Sequence, residues 1–456
     1  MAKFAQTGGR APNMRTAQAW WMVAALFAIY VFSWLDRLIM AMLVSPIKAD
    51  LHLSDFQTSI LLGPAFAVAY AVFSIPLGWA ADRFSRRAVI CVSTLFWALA
   101  TASCAFAESF QALLLLRILV GIGEAALLPA AYSLIADGFP PERVTVATAT
   151  FQTAGKVGSA LAFGVGGLAV AYAGSLGQLQ WPLLGHAQPW QITMAMIGLP
   201  GLVLAALAFS FPEPGRRSLG GGPAVEPSRS EFMDFLRRNA VLFSLLLFAF
   251  SCLAVVGHSL TNWVPTYIDR AFGLKPPQYG PMLSLMNLVG AASLPVSGWV
   301  VDRFYRRGMH DAHLRVYGWM ILGLSPAILY AFFATNVYVF LACYALIQFI
   351  TVPFIVYASA IIALLAPSRL RGRLLGACLF VFNLIGLGVG PTLVGALTDF
   401  AFGDESKVGY SLGLVVVVAS SAAFVAMRLA LRRLRGAVGQ AQAAHRLAAA
   451  PPPAAA

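Results

Sequence analysis

Gly78-Trp-Ala-Ala-Asp-Arg-Phe-Ser-Arg-Arg87 returns 220 residues later as Gly298-Trp-Val-Val-Asp-Arg-Phe-Tyr-Arg-Arg307, with seven of ten positions identical. Each copy closes a long apolar run. A fainter echo joins Pro141-Glu142-Arg143 to Pro367-Ser368-Arg369. The chain therefore repeats a unit of about half its length, in the same orientation. Such internal repeats are the architecture of membrane transporters, with the pathway between the halves.

Working outward, the composition agrees. Only 11% of the residues are charged, against about 25% in soluble domains. Apolar runs near 20 residues recur from end to end, each long enough to cross a hydrocarbon core of ~30 Å. The fold class expected is an all-α membrane protein of twelve transmembrane helices in two six-helix halves. The spans fall at roughly 18–43, 56–81, 88–107, 110–137, 145–174, 189–211, 241–268, 277–301, 315–334, 336–365, 373–400 and 406–430. The polar segment 212–240 separates an N-terminal half (18–211) from a C-terminal half (241–430). Its last piece, EFMDFLRRN, reads as plain linker or as a short amphipathic helix. Residues 1–17 and 431–456 read as tails, the second ending AAAPPPAAA and expected to be disordered.

The net charge of +13 is a matter of topology, with no nucleic-acid partner implied. The termini and the even-numbered loops carry 24 of the 31 Lys and Arg. The opposite loops carry four: Lys48, Arg270, Lys275 and Lys407. The positive-inside rule puts both termini in the cytoplasm, and an even number of spans requires them on one side. A multi-pass protein of a bacterial-type inner membrane is expected. The basic amino end precedes an apolar run that reads as uncleaved, so no signal peptide is seen. Five cysteines lie within apolar runs without metal or disulfide spacing. No cofactor and no metal site is expected. No nucleophile–base pair or phosphate-cradling loop is visible, so an enzyme is not expected.

Five ionisable side chains fall at depth inside spans, all in the first half: Asp36, Arg37, Arg117, Glu124 and Lys156. Charges at bilayer depth cost about 3 kcal/mol on the insertion scale and normally face a cavity or a partner. Arg117 and Glu124, in LLLLRILVGIGEAALLP (113–129), are seven residues apart and share a helix face. Neighbours on a helix point ~100° apart, so Asp36 and Arg37 cannot aim at one spot. Asp36 is expected to face Arg117 or Lys156, with Arg37 pairing elsewhere or facing the cavity. Protonating one carboxylate would make the cluster more positive and favour an anionic headgroup. Glu124 or Asp36 is thus the expected proton carrier, and Arg37 or Lys156 the group that meets a phosphate or carboxylate. Arg117 reads chiefly as an organiser of Glu124. The second half offers neutral groups: Asn262, Tyr357 and Asn383 as substrate contacts, with His258, Asn287 and Gln348 as packing residues. A static network that only latches helices is the structural alternative for the charged cluster.

GWAADRFSRR resembles the loop motif between spans 2 and 3 of the major facilitator superfamily, and RILVGIG (117–123) resembles that superfamily's span 4 motif. The resemblance covers about residues 18 to 430 and implies a rocker-switch transporter, usually monomeric. Asp36-Arg37, the run LSDFQTSILLGPAFAVAYAVFSIPLGWAADR and RILVGIGEA together look like Spinster-type transporters. That family includes lysophospholipid and sphingosine-phosphate exporters. The resemblance implies that Asp36, Arg37, Arg117 and Glu124 are functional; Lys156 rests on chemistry alone. The anion:cation symporter family shares the Asp-Arg pair, R-x-x-x-G-x-x-E and a nearby proline, here Pro129. The partners expected are a small-molecule or lipid substrate, protons and membrane lipids. In the loop motifs, Asp82, Arg83, Arg86 and Arg87, and Asp302, Arg303, Arg306 and Arg307, are expected to gate. The aspartates would cap a neighbouring helix and the arginines would close a charge network with nearby acids. The rivals are a proton symporter for a small organic anion and a non-transporting membrane sensor.

Overall fold

The computed structural model describes residues 14–177, 179–181, 185–216, 229–309 and 311–449. Most of the polar amino tail, the GGGP stretch of the linker and the last seven residues lie outside the described residues. In lipid every backbone N–H and C=O must be satisfied within the segment, and the apolar runs accordingly form helices. Among the described residues eleven are long and apolar enough to span a bilayer, and a bent pair supplies a twelfth. In order they are Thr16–Met42, Asp55–Arg83, Arg86–Phe106, Phe110–Gly138, Glu142–Leu176 and Pro189–Phe209. There follow Ala240–Phe272, Pro276–Arg306, the pair Ala312–Gly323 and Ser325–Ala331, then Val337–Leu365, Leu370–Phe402 and Glu405–Gly436. They are called spans 1 to 12 below.

Span 9 is the irregular one. Its two pieces meet at 42°, where the sequence suggested a single helix. Pro326 lies one residue into the second piece. Its ring opposes the carbonyl four residues back, at Leu322, and it has no N–H to offer. Two short strands, Leu179–Trp181 and Gly185–Ala187, pair antiparallel between spans 5 and 6. The end of the linker is helical, Arg229–Arg238. The helix of span 12 runs on to Ala449, as its Ala-, Arg- and Gln-rich sequence favours.

Tertiary packing resolves the chain into two compact units. The first holds residues 1–37, 69–162 and 173–224; the second holds 38–68, 163–172 and 225–456. The boundary therefore passes through spans 1, 2 and 5. In the first unit span 3 packs along spans 4 and 6. In the second, span 7 packs along spans 11 and 12, and the start of span 2 lies on span 11. Span 8 is approached closely by span 5: a Cβ at Gly280 would stand 2.4 Å from the Phe163 carbonyl oxygen. Small residues permit such backbone contact.

Candidate functional site

Span 4 is broken where its chemistry lies. Phe110–Glu124 ends and Leu127–Gly138 begins after a two-residue turn. Pro129 accounts for the break, since its ring opposes the carbonyl of Ala125. Glu124 is left at the negative, C-terminal end of a half-helix, and it is only 1% exposed. Span 1 supplies the compensation. Arg37 Nη2 donates to Glu124 Oε2 at 2.5 Å, and Ser33 Oγ donates to the same oxygen at 2.6 Å. Ser33 and Arg37 are four residues apart and so share a face. The guanidinium also lies over the rings of Trp34 (5.1 Å) and Tyr70 (5.8 Å), a cation–π arrangement that holds the charge where water is scarce. Oε1 of Glu124 is buried without a hydrogen-bond partner among the described residues.

Asp36 points elsewhere, as the helical turn requires. It is fully buried and accepts the Thr101 hydroxyl, at 2.8 and 2.7 Å to its two oxygens. Arg117 is fully buried as well and acts on Asp36 electrostatically. All three guanidinium nitrogens of Arg117 lack a hydrogen-bond partner among the described residues. An isolated buried charge is costly, so Arg117 relies on the field of Asp36. The structure thus brings Asp36, Arg37, Arg117 and Glu124 together. Their pairing is Arg37 with Glu124 and Asp36 with Thr101; no spacing singles out Thr101 or Ser33. Lys156 is half-buried on span 5 and forms no ion pair among the described residues.

The expected contacts of the second half are less convergent. Asn262 is 3% exposed and donates to His258 O of its own helix at 2.9 Å. Tyr357 is buried, stacked on Tyr317 at 4.2 Å, with its hydroxyl donating to Met320 Sδ at 3.4 Å. Asn383 is exposed and donates to Leu379 O at 2.9 Å.

The first loop motif is a built network. Arg86 is 1% exposed. Its Nε donates to Glu213 Oε1 at 3.1 Å, its Nη2 to Pro214 O at 2.6 Å, and its Nη1 to Ser133 Oγ at 3.0 Å and to Asp137. Arg87 donates to Ala208 O and Phe209 O, both at 3.0 Å. Ser85 caps span 3 and donates to Glu213 at 2.5 Å. Burial alone would push the Glu213 carboxyl up. The hydrogen bonds from Ser85 and Arg86, with the Arg86 charge, hold it below the ordinary glutamate range. Asp82 and Arg83 stay exposed, Arg83 over Trp79 at 5.0 Å. Among the described residues Asp82 accepts no hydrogen bond, so the expected helix cap is not formed here. In the second motif Asp302, Arg303, Arg306 and Arg307 are all exposed. Among the described residues Arg306 Nε reaches Asp302 O of its own helix, at 3.3 Å, and Arg303 lies over Trp299 at 5.8 Å.

A further charged cluster, not expected from the spacing of its residues, lies within the second unit. Asp55 is fully buried. It takes Arg270 through two bonds, 2.6 and 2.7 Å, and Lys48 at 2.6 Å. Lys48 and Arg270 also meet Glu405, at 2.6 and 3.5 Å. Asp399 accepts from the backbone N–H of Phe56 at 2.6 Å. The signal was local: Ser54 and Gln57 form a capping box, which fixes Asp55 in a first helical turn. Three of the cluster's ion-pairing residues come from three different helices, which no spacing rule reveals.

The chain is similar to known membrane transporters. The family profile described as Major Facilitator Superfamily matches residues 26–310. An MFS-type efflux pump of Mycolicibacterium smegmatis is 28% identical over 88% of this chain and 90% of that one. The hexuronate transporter of Bacillus subtilis is 26% identical over 63% of this chain and 65% of that one. Protein spinster homolog 1 of Xenopus tropicalis is 27% identical over 83% and 72%. Among solved structures, a bacterial homolog of the human lysosomal transporter Spinster, inward-facing and unoccupied, has a TM-score of 0.77 at 22% identity, covering 93% of this chain and 97% of that one.

Proposed function

We propose, for a chain that belongs to the Major Facilitator Superfamily and so moves a solute rather than transforming it, that the cargo is an amphipathic, anionic, lipid-like molecule carried by proton-coupled alternating access. The observation that carries this is the buried Arg37–Glu124 ion pair. A proton arriving on Oε1 of Glu124 cancels the carboxylate, and the ion pair between Glu124 and Arg37 is lost. An anionic headgroup then replaces the carboxylate, and a guanidinium suits phosphate or carboxylate through paired bonds. Lys156 is a second cation for the same headgroup. Asp36, held by Thr101 beside Arg117, either keeps Arg117 balanced or carries a proton itself. Deprotonation of Glu124 recaptures Arg37 and expels the anion. Making and breaking the Asp55–Arg270–Lys48–Glu405 cluster and the Arg86 network in turn is the gating this reading requires. The ends that bear the loop motifs face the cytoplasm of an inner membrane, and the working unit is the monomer.

The lipid-like cargo is supported by the resemblance to Spinster in spans 1, 2 and 4 and by a second half without ionised groups at depth. A small organic carboxylate is the second reading, favoured by the hexuronate relative and by Pro129 after Glu124. Uptake into proteoliposomes separates them. Lysophospholipid or sphingosine phosphate should be transported, and glucuronate should not compete. Transport of glucuronate without lipid movement would replace the first reading with the second. Flux of neither would return the scaffold to a sensor role.

A further inference from the structure

The helix Arg229–Arg238 is separate from the charged pair, yet it covers a cavity. Its Phe232, Phe235 and Leu236 pack on the buried Phe243, Ile362, Leu370 and Leu374. The packing is incomplete. A cavity of about 350 Å³ remains, walled by Phe232 and Leu236 of this helix, Phe243 and Leu247 of span 7, and Ala377 and Val381 of span 11. That volume lies in the range of small-molecule sites. Its walls are almost wholly apolar, and Arg237 stands at its rim. Arg373, Ala377 and Val381 are spaced by four residues and share one face of span 11. Arg373 is therefore placed one turn beyond the cavity, toward the ends of the spans that carry the loop motifs. Arg238 and Arg371 are exposed on the same two helices. Arg237 meets Asp234 of its own helix at 3.9 Å, yet Arg237, Arg238, Arg371 and Arg373 outnumber Glu231 and Asp234 four to two, so the rim is basic.

An apolar trough that runs between three helices and ends in arginines is complementary to one class of molecule. Basic pockets of this kind between helices bind anionic lipid headgroups, and an amphipathic helix lying at the interface places its apolar face at acyl-chain depth. We propose that this groove holds a resident anionic phospholipid of the adjoining leaflet. One acyl chain lies along Ala377 and Val381, and the phosphate is met by Arg237 and Arg373. The lipid cements the linker helix to spans 7 and 11. It is distinct from any transported cargo and does not depend on the identity of that cargo.

The test is native mass spectrometry of the purified full chain, delipidated and titrated with phosphatidylglycerol or with phosphatidylcholine of the same chains. Wild type should hold one copy of phosphatidylglycerol roughly 30-fold more tightly than phosphatidylcholine, the discrimination expected of two arginines near a membrane surface. The Arg237→Gln, Arg373→Gln double variant should lose that discrimination. Both changes are at exposed positions, so folding is preserved. Ala377→Phe, which fills the trough, should weaken both lipids, and Glu124→Gln should change neither. Unaltered phosphatidylglycerol binding in the double variant or in Ala377→Phe overturns the proposal. So does its loss in Glu124→Gln, which would move the lipid to the span 1 and span 4 pair.

Discussion

GWAADRFSRR and GWVVDRFYRR share seven of ten residues, and the two decamers end in different structures. In the first, the helix stops at Arg83, Ser85 caps the next one, and Arg86 turns inward to Glu213, Asp137 and Ser133. In the second, Tyr305 stands where Ser85 does and the helix continues to Arg306, whose side chain stays in the open. The chain then turns at Gly308 in a left-handed conformation (φ 89°). The acid that follows, Asp311, is taken by Arg315 and Arg435 at 2.8 and 2.6 Å. The lesson is that duplication kept the scaffold, while the chemistry sits on residues that were not duplicated. Glu213, Asp137 and Ser85 tie the first motif into a hydrogen-bonded network. Arg37 and Glu124 make the first half the charged half.

The largest test of that contrast is at depth. Arg37→Ala leaves Glu124 buried without its cation, which for a buried pair costs about 3–5 kcal/mol. A marked fall in thermal stability in detergent is expected, together with loss of anion transport. Adding Glu124→Gln should restore stability and leave transport absent, because the uncompensated charge is gone and the anion site is still missing. Additive losses in the double variant would mean that the two residues are not a pair.

The next test compares the motifs directly. Arg86→Ala removes the buried cation that meets Asp137 and Glu213 and should cost about 3 kcal/mol. Arg306→Ala, at an exposed position, should stay within about 0.5 kcal/mol. Equal melting shifts for the two would erase the distinction.

The smallest effect is in acid. Glu213 titrates below its ordinary range when folded. Its contribution to stability is therefore complete above the unfolded value and is lost as pH falls through the folded one. Wild type should lose part of its stability as pH drops below about 4.5, and Glu213→Gln should flatten that part of the profile while lowering stability at neutral pH. An acid limb identical in both would assign the loss to other carboxylates.

The spans were legible because a helix in lipid has to be apolar for its whole length. The bend in span 9 was written in Pro326 but lost in a run that is apolar on both sides of it. The charged residues of the site were legible one by one, since few side chains are ionised at such depth. Their pairing was not. The ~100° turn correctly separated Asp36 from Arg37, yet which neighbour each meets depends on how spans 1, 3 and 4 pack, and Ser33 and Thr101 are ordinary polar residues until a carboxylate lies beside them. Asp55 and Arg270 were hidden for the same reason: 215 residues separate them.

The account's central claim is that Glu124 couples the proton to release of Arg37. Its most direct measurement is lysolipid uptake into proteoliposomes with and without an imposed pH gradient, for wild type and Glu124→Gln. The account predicts that the variant, fixed in the neutral form, still binds the anion but transports at a rate indifferent to the gradient. A gradient response in Glu124→Gln equal to that of wild type would contradict it and leave the pair a structural latch.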